Sequence, residues 1–195
     1  MKRLLSSVAI VTTTTTVAMT MRGNKEEGEV VVVGGGVMGL ASAWKLAVSG
    51  RRRVTLIDAG HAVRGSWGSS RASHLSMEDE VLLKMNLLAM DEWDRLEDEE
   101  DNPIRTSIGR IFAGPKGSIV SIAESLKKHC SKEDARCDHT IMSYLEVNKR
   151  WKDQIRLRHN DEAIYLPNGG FVVHVNRALQ SLRNAALSTG RVRII

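Results

Sequence analysis

Apolar and polar positions follow a readable order from about residue 28 onward. Val30–Val33 is an unbroken β-branched run, the composition of a strand buried on both faces. Leu40, Ala43, Trp44, Leu46 and Ala47 follow at helical spacing, and Gly50 predicts the helix end. Val54–Ile57 reads as a second buried strand, closed by Asp58. Residues 61–76, with Gly65, Gly68 and five serines, read as a loop. The spacing then predicts a helix over 77–96, capped by Ser76 with Asp79, with Leu82, Met85, Ala89, Trp93 and Leu96 on its inner face. Its acid-rich end, residues 91–101, reads as a solvated helix end and loop broken by Pro103.

The second half continues in shorter pieces. Residues 106–113 predict a strand, Gly114-Pro115-Lys116-Gly117 a turn, and Ser118 the cap of a helix bearing Ile119, Ile122, Ala123 and Leu126. A polar stretch with both cysteines precedes a short helix over 144–151. Residues 163–166 and 171–173 read as two strands about the turn Pro167-Asn168-Gly169-Gly170. Asn176 caps a last helix bearing Ala178, Leu179, Leu182 and Ala186, which Gly190 stops. Residues 192–195 begin a third strand, expected to pair beside Val30–Val33. Strand, helix, strand, and later helix and strand predict an α/β fold with a Rossmann-like βαβ unit.

The turn of that unit carries the chemistry. Gly34-Gly35-Gly36-Val37-Met38-Gly39 fits G-x-G-x-x-G between a strand and a helix. Gly34 permits the tight turn, Gly36 lets backbone approach a pyrophosphate, and Gly39 lets helix and strand pack closely. The phosphates would meet free N–H groups and the positive end of the helix dipole. Asp58, about twenty residues beyond Gly36, is placed to bind a ribose 2′-hydroxyl. These residues by themselves suit FAD or NAD(P). In the loop, Ser69, Ser70 and Arg71 are candidates to hold a phosphate or the isoalloxazine edge of a flavin.

Composition alters this picture in three places. The formal net charge is +5, but no basic stripe is interleaved with aromatics, so nucleic acid is a poor partner. Cys130 and Cys137 match no zinc spacing and make no disulfide framework, so free thiols are expected. Residues 1–25 carry Lys2, Arg3, Arg22 and Lys25 and no acid. The 18 uncharged residues between Arg3 and Arg22 hold too many Ser and Thr for a stable membrane span. They suggest a removable organelle-targeting segment, for mitochondrion or plastid, ahead of a secretory signal or a disordered tail. On any of these readings the segment lies outside the fold.

The ordered motifs resemble the N-terminal half of an FAD-dependent amine oxidoreductase of the D-amino-acid-oxidase superfamily, in its sarcosine oxidase and pipecolate oxidase branch. The resemblance rests on VVVVGGGVMGLASAWKLAVSG, VTLIDAG, the Gly68-Ser69-Ser70 loop, the helix ending Trp93-Asp94-Arg95-Leu96-Glu97, and AIYLPNGGFV with the helix and strand after it. It implies FAD as cofactor, with Gly34, Gly36, Val37, Met38 and Gly39 at the pyrophosphate and Asp58 with Ala59 at the adenosine ribose. Gly68, Ser69 and Ser70 would lie beside the flavin. It implies oxidation of a secondary or N-methylated amine of an amino acid, with oxygen as acceptor. After the compositional targeting segment or tail at 1–25, it divides the chain into an FAD-binding unit and flavin loop at 26–76, part of an α+β substrate domain at 77–175, and a return to the FAD sheet at 176–195. Where relatives follow the Gly-Ser-Ser with a His-Gly pair and an arginine, this chain has Arg71-Ala72-Ser73-His74-Leu75. Relatives also continue past the equivalent of Ile195, which implies a fragment that lacks its C-terminal half and is inactive on its own. A peroxisomal signal would be read at a C-terminus beyond this one.

Overall fold

Parallel pairing of two apolar tetrapeptides sets the frame: Val30 to Val33 lie in register with Val54 to Ile57. The protein, as a computed structural model, is described at residues 10–11, 28–49, 52–60, 68–98, 103–152 and 154–195. In chain order its elements are β1 (Ile10–Val11), β2 (Val30–Val33), α1 (Val37–Ser49), β3 (Val54–Ile57), β4 (Ser70–His74), α2 (Glu80–Asp98), β5 (Arg105–Ser107), β6 (Arg110–Pro115), α3 (Val120–His129), a 3-10 turn (Ala135–Cys137), β7 (Thr140–Ser143), α4 (Tyr144–Arg150), β8 (Asp161–Leu166), β9 (Gly170–His174), α5 (Val175–Ser188) and β10 (Val192–Ile194). They divide into two units, residues 1–69 with 175–195 and residues 70–174.

The first unit is a parallel sheet in the order β1-β2-β3-β10. Val32, Val54 and Leu56 are buried in it, as a strand covered by helices requires. Leu40, Ala43, Trp44 and Ala47 of α1 and Ala178, Leu182, Ala185 and Ala186 of α5 are buried, and the two helices pack against each other and the sheet. Thr55, buried in β3, donates its hydroxyl to Glu29 Oε1 at 2.8 Å, which satisfies a polar group inside the sheet.

Three expectations for this unit are corrected. β10 pairs with β3, Val192 opposite Val54, and not with β2. The other edge of β2 is taken by β1, with Ile10 opposite Val31, so two residues of the segment expected to lie outside the fold are strand. Asn176 does not cap α5, because the helix starts at Val175 and includes it. Gly190 does follow the helix at φ +65°, a stop that suits glycine. Gly50 lies outside the described residues.

The second unit holds two antiparallel three-stranded sheets, β4-β9-β5 and β6-β8-β7. Leu75, Leu83, Met90, Ile119, Ile122, Leu126, Cys137, Ile164, Leu166 and Phe171 form its main core. A smaller cluster of Met142, Val147 and Ala163 lies under α4.

Local readings shift here for physical reasons. Residues 70–74 are not loop: β4 pairs along its whole length with β9. The predicted strand 106–113 is two strands, broken at Ile108 and Gly109, and both of those amides bond to Gly170 O. Gly109 has φ +72°, and the bend moves the chain from one sheet to the other. β8 and β9 flank the expected turn but pair in different sheets rather than with each other. Ser76 does not cap α2: it bonds to His74 Nδ1 at 3.0 Å, and Asp79 Oδ1 accepts the Leu82 amide instead. The buried face of α2 is Leu83, Met90 and Leu96, while Leu82, Met85 and Ala89 are exposed. Ser118 is not the cap of α3, whose N-cap is Ile119, with no side-chain bond. Ser143, by contrast, forms a full capping box with Glu146 at the start of α4.

The cysteines and the acidic run also depart from expectation. Cys130 and Cys137 form a disulfide, with Cα atoms 6.2 Å apart. Packing the end of α3 against the 3-10 turn brings the sulfurs together, which spacing alone does not reveal. The acids of α2 are not only solvated. Glu97 and Asp94 grip the buried Arg105, and Asp91 and Asp94 hold Arg136. Among the described residues no helix is long and apolar enough to cross a membrane.

Candidate cofactor site on the first unit

The candidate site stands where β2 and β3 end and α1 begins. Gly34 leaves β2 at φ +104°, a conformation that favours glycine, and its amide bonds to Ile57 O at 2.7 Å. Gly36 O accepts the Leu40 amide at 2.9 Å, so Gly36 is the last residue before the helix. Val37, Met38 and Gly39 form the first turn, whose amides have no acceptor further back in the helix. That turn contains no acidic side chain to neutralise the dipole. Met38 is exposed, and a Cβ built on Gly36 meets nothing within 4 Å. The backbone is open to an anion at this point.

Gly39 is glycine for a different reason. A Cβ there would run into Gly34 O, so the first turn lies directly on the strand exit. Gly35, which falls outside the G-x-G-x-x-G positions, is a third case. A Cβ on it would stand 2.5 Å from Asp58 Oδ2. The Asp58 carboxylate therefore lies over the glycine turn, anchored by its own amide to Ile195 O at 2.9 Å. The motif reading missed Gly35. The signal was three consecutive glycines where the pattern needs two.

The structure thus brings Gly34, Gly36, Val37, Met38, Gly39 and Asp58 together at the carboxyl ends of two parallel strands. Open α/β sheets bind ligands at that edge. Ala59 follows Asp58 and is exposed. Gly68, at φ +111°, and Ser69 stand at the end of the first unit, where Ser69 O accepts the Val175 amide at 3.1 Å. Ser70 and Arg71 open β4 in the second unit, opposite His174 and Val173, and Arg71 donates to Ser70 O at 2.8 Å. Residues 61–67, which join these two groups in sequence, lie outside the described residues.

His74, three residues beyond Arg71, sits at the far end of β4. Burial and then the nearby Arg110 cation hold its imidazole below the usual histidine range. The fold therefore favours neutral His74. Its contribution is present above the free-imidazole pKa of about 6.5 and is lost as pH falls below that value, because the unfolded chain takes up the proton first. Melting temperature should fall between pH 7.5 and 5.5, and His74→Gln should make that fall shallower. An equal fall in both proteins would remove His74 as its source.

A family model described as DAO, FAD dependent oxidoreductase, matches residues 29–195. No curated protein sequence matches the chain. Among solved structures, a point mutant of NikD, an unusual amino acid oxidase essential for nikkomycin biosynthesis, is 25% identical with a TM-score of 0.62, over 84% of this chain and 42% of that one. L-proline dehydrogenase from P. horikoshii is 19% identical with a TM-score of 0.65, over 87% and 44%. Glycine oxidase from Bacillus cereus is 18% identical with a TM-score of 0.60, over 85% and 45%. The chain spans less than half the length of each. The glycine turn, the acid at the tip of β3 and the match from residue 29 to residue 195 agree, and the chain belongs to the DAO family of FAD-dependent oxidoreductases.

Proposed function

We propose that this chain supplies the ADP-binding half of the FAD site in an oxidoreductase acting on amino acids or amines, with a secondary or N-methylated amine of an amino acid as substrate and oxygen as acceptor. The observation that carries the reading is the Asp58 carboxylate lying over an open glycine turn at the N-terminus of α1. That NikD is an amino acid oxidase accords with the substrate class.

The residues fit the group. The amides of Gly36, Val37 and Met38 hold the pyrophosphate, helped by the helix dipole. Gly34 and Gly39 keep strand and helix close enough to form that cradle. Asp58 accepts from the adenosine ribose, with Ala59 beside it. Gly68 and Ser69, at the end of the first unit, border the flavin. When bound, FAD supplies the two-electron acceptor, and the protein's part is to orient it and set the charge around it.

Asp58→Ala tests this through binding. The loss of a hydrogen bond to a charged group corresponds to about 1.5–3 kcal/mol, or roughly 10- to 150-fold in Kd. A flavin-fluorescence titration of both proteins reads it. Equal affinity would take Asp58 out of the site.

A further inference from the structure

The disulfide closes a loop that holds several elements of the second unit. Cys130 is the C-cap of α3, and its amide bonds to Leu126 O at 3.0 Å. Cys137 ends the 3-10 turn and is buried in the main core. Between them, Asp134 caps the turn and grips Arg136 through Nε at 2.8 Å and Nη2 at 2.8 Å. The same guanidinium reaches out to α2, to Asp91 at 2.9 Å and Asp94 at 3.3 Å. Asp94 in turn pairs with Arg105. The turn after β8 also rests on this loop: Asn168 donates to Ala135 O at 3.3 Å, and a Cβ on Gly169 would stand 2.9 Å from Arg136 O.

Asp91 and Asp94 are more than half exposed, so these ion pairs are weak on their own. The covalent closure keeps Arg136 where it can make them. The two sulfurs also differ in access. Cys137 is buried, whereas Cys130 is half-buried, so a reductant meets Cys130 first.

We propose that Cys130–Cys137 is a reversible redox site, opened by a dithiol reductant that attacks at Cys130, and that it latches α2 to the end of α3 through Arg136. A reductant thiolate attacks Cys130 Sγ and forms a mixed disulfide. The Cys130–Cys137 bond breaks, and its electron pair leaves on Cys137 Sγ, which takes up a proton. The reductant's second thiolate then attacks its own sulfur in the mixed disulfide, releasing Cys130 as a thiolate that is protonated in turn. The protein gains two electrons and two protons, and the dithiol becomes a disulfide. Reduced, the loop is free to carry Arg136 away from Asp91 and Asp94. The site is independent of the cofactor reading.

The test uses the full 195-residue chain without FAD. Alkylation with iodoacetamide, read by mass, should add no group to the protein as purified and two groups after dithiothreitol without denaturant. Trypsin cleavage after Lys132 and Arg136 should then rise at least tenfold, with the rest of the cleavage pattern slower to change. Cys130→Ser/Cys137→Ser should be cut at the reduced rate with or without dithiothreitol. Peptide mapping after glutathione treatment should place the adduct on Cys130. Two alkylations in the untreated protein, equal cleavage in both redox states of the parent, or an adduct on Cys137 would overturn the proposal. The comparison of the parent's two redox states stands even if the double variant fails to fold.

Discussion

Gly36→Val should leave the fold of this chain intact and abolish FAD binding. The two halves of that expectation come from separate observations. A Cβ on Gly36 meets no protein atom within 4 Å, and the residue is outside the left-handed region, so a side chain can start there without a backbone clash. The same open space is where the pyrophosphate must approach backbone amides. Valine is therefore expected to occupy the volume the ligand needs. Circular dichroism and melting temperature should match the parent, while a flavin titration shows no saturable binding. Gly39→Ala is the contrasting case. Its Cβ would strike Gly34 O, so α1 must move off the strand exit, and both the melt and the titration should suffer. A valine variant that binds FAD like the parent would show that this turn is not the phosphate cradle.

Arg105→Ala should cost the second unit about 3 kcal/mol, at the lower end of the range for breaking a buried ion pair. The Arg105 side chain is 6% exposed. It donates through Nη2 to Glu97 Oε2 at 2.6 Å and to Asp94, through Nε to Glu97 at 3.1 Å, and through Nη1 to Met90 Sδ at 3.1 Å. Its charge also lies over the Phe171 ring, 5.3 Å from the centroid. Alanine leaves Glu97, itself 21% exposed, without its cation and opens a hole beside Met90 and Phe171. Asp94 is 54% exposed and returns to water easily, so Asp94→Ala should cost under about 1 kcal/mol. Urea denaturation reads the difference as a lower midpoint at unchanged slope. Equal costs for the two variants would mean that Arg105 acts through Asp94 and not through Glu97 or packing.

The βαβ unit was legible because its determinants are local. The valine run, the glycines at fixed offsets, the helical spacing after them and the acid closing the next strand all lie within about thirty residues. Each glycine has a cause within that stretch, down to the Gly34 carbonyl that excludes a side chain at Gly39. The helices α3, α4 and α5 were legible for the same reason, with their starts within about two residues.

Tertiary packing decided the rest. Helix α2 carries apolar residues at two adjacent phases, and periodicity alone chose Leu82 and Met85. The core turned Leu83 and Met90 inward because Ile119, Ile122 and Leu126 gather on that side. β8 and β9 looked like a hairpin because turn chemistry reports that the chain bends, not which strands then pair. Here the partners come from β6 and β7 on one side and from β4 and β5 on the other. β10 went beside β3 because strand order depends on where α5 packs against α1, a contact between distant segments. The acidic run looked solvated until Arg105 and Arg136 arrived from elsewhere in the chain. The cysteine spacing carried no sign of a bond that forms only after α3 and the 3-10 turn have docked. What neighbours in sequence determine can be read along the chain; what depends on meeting a distant partner had to await the fold.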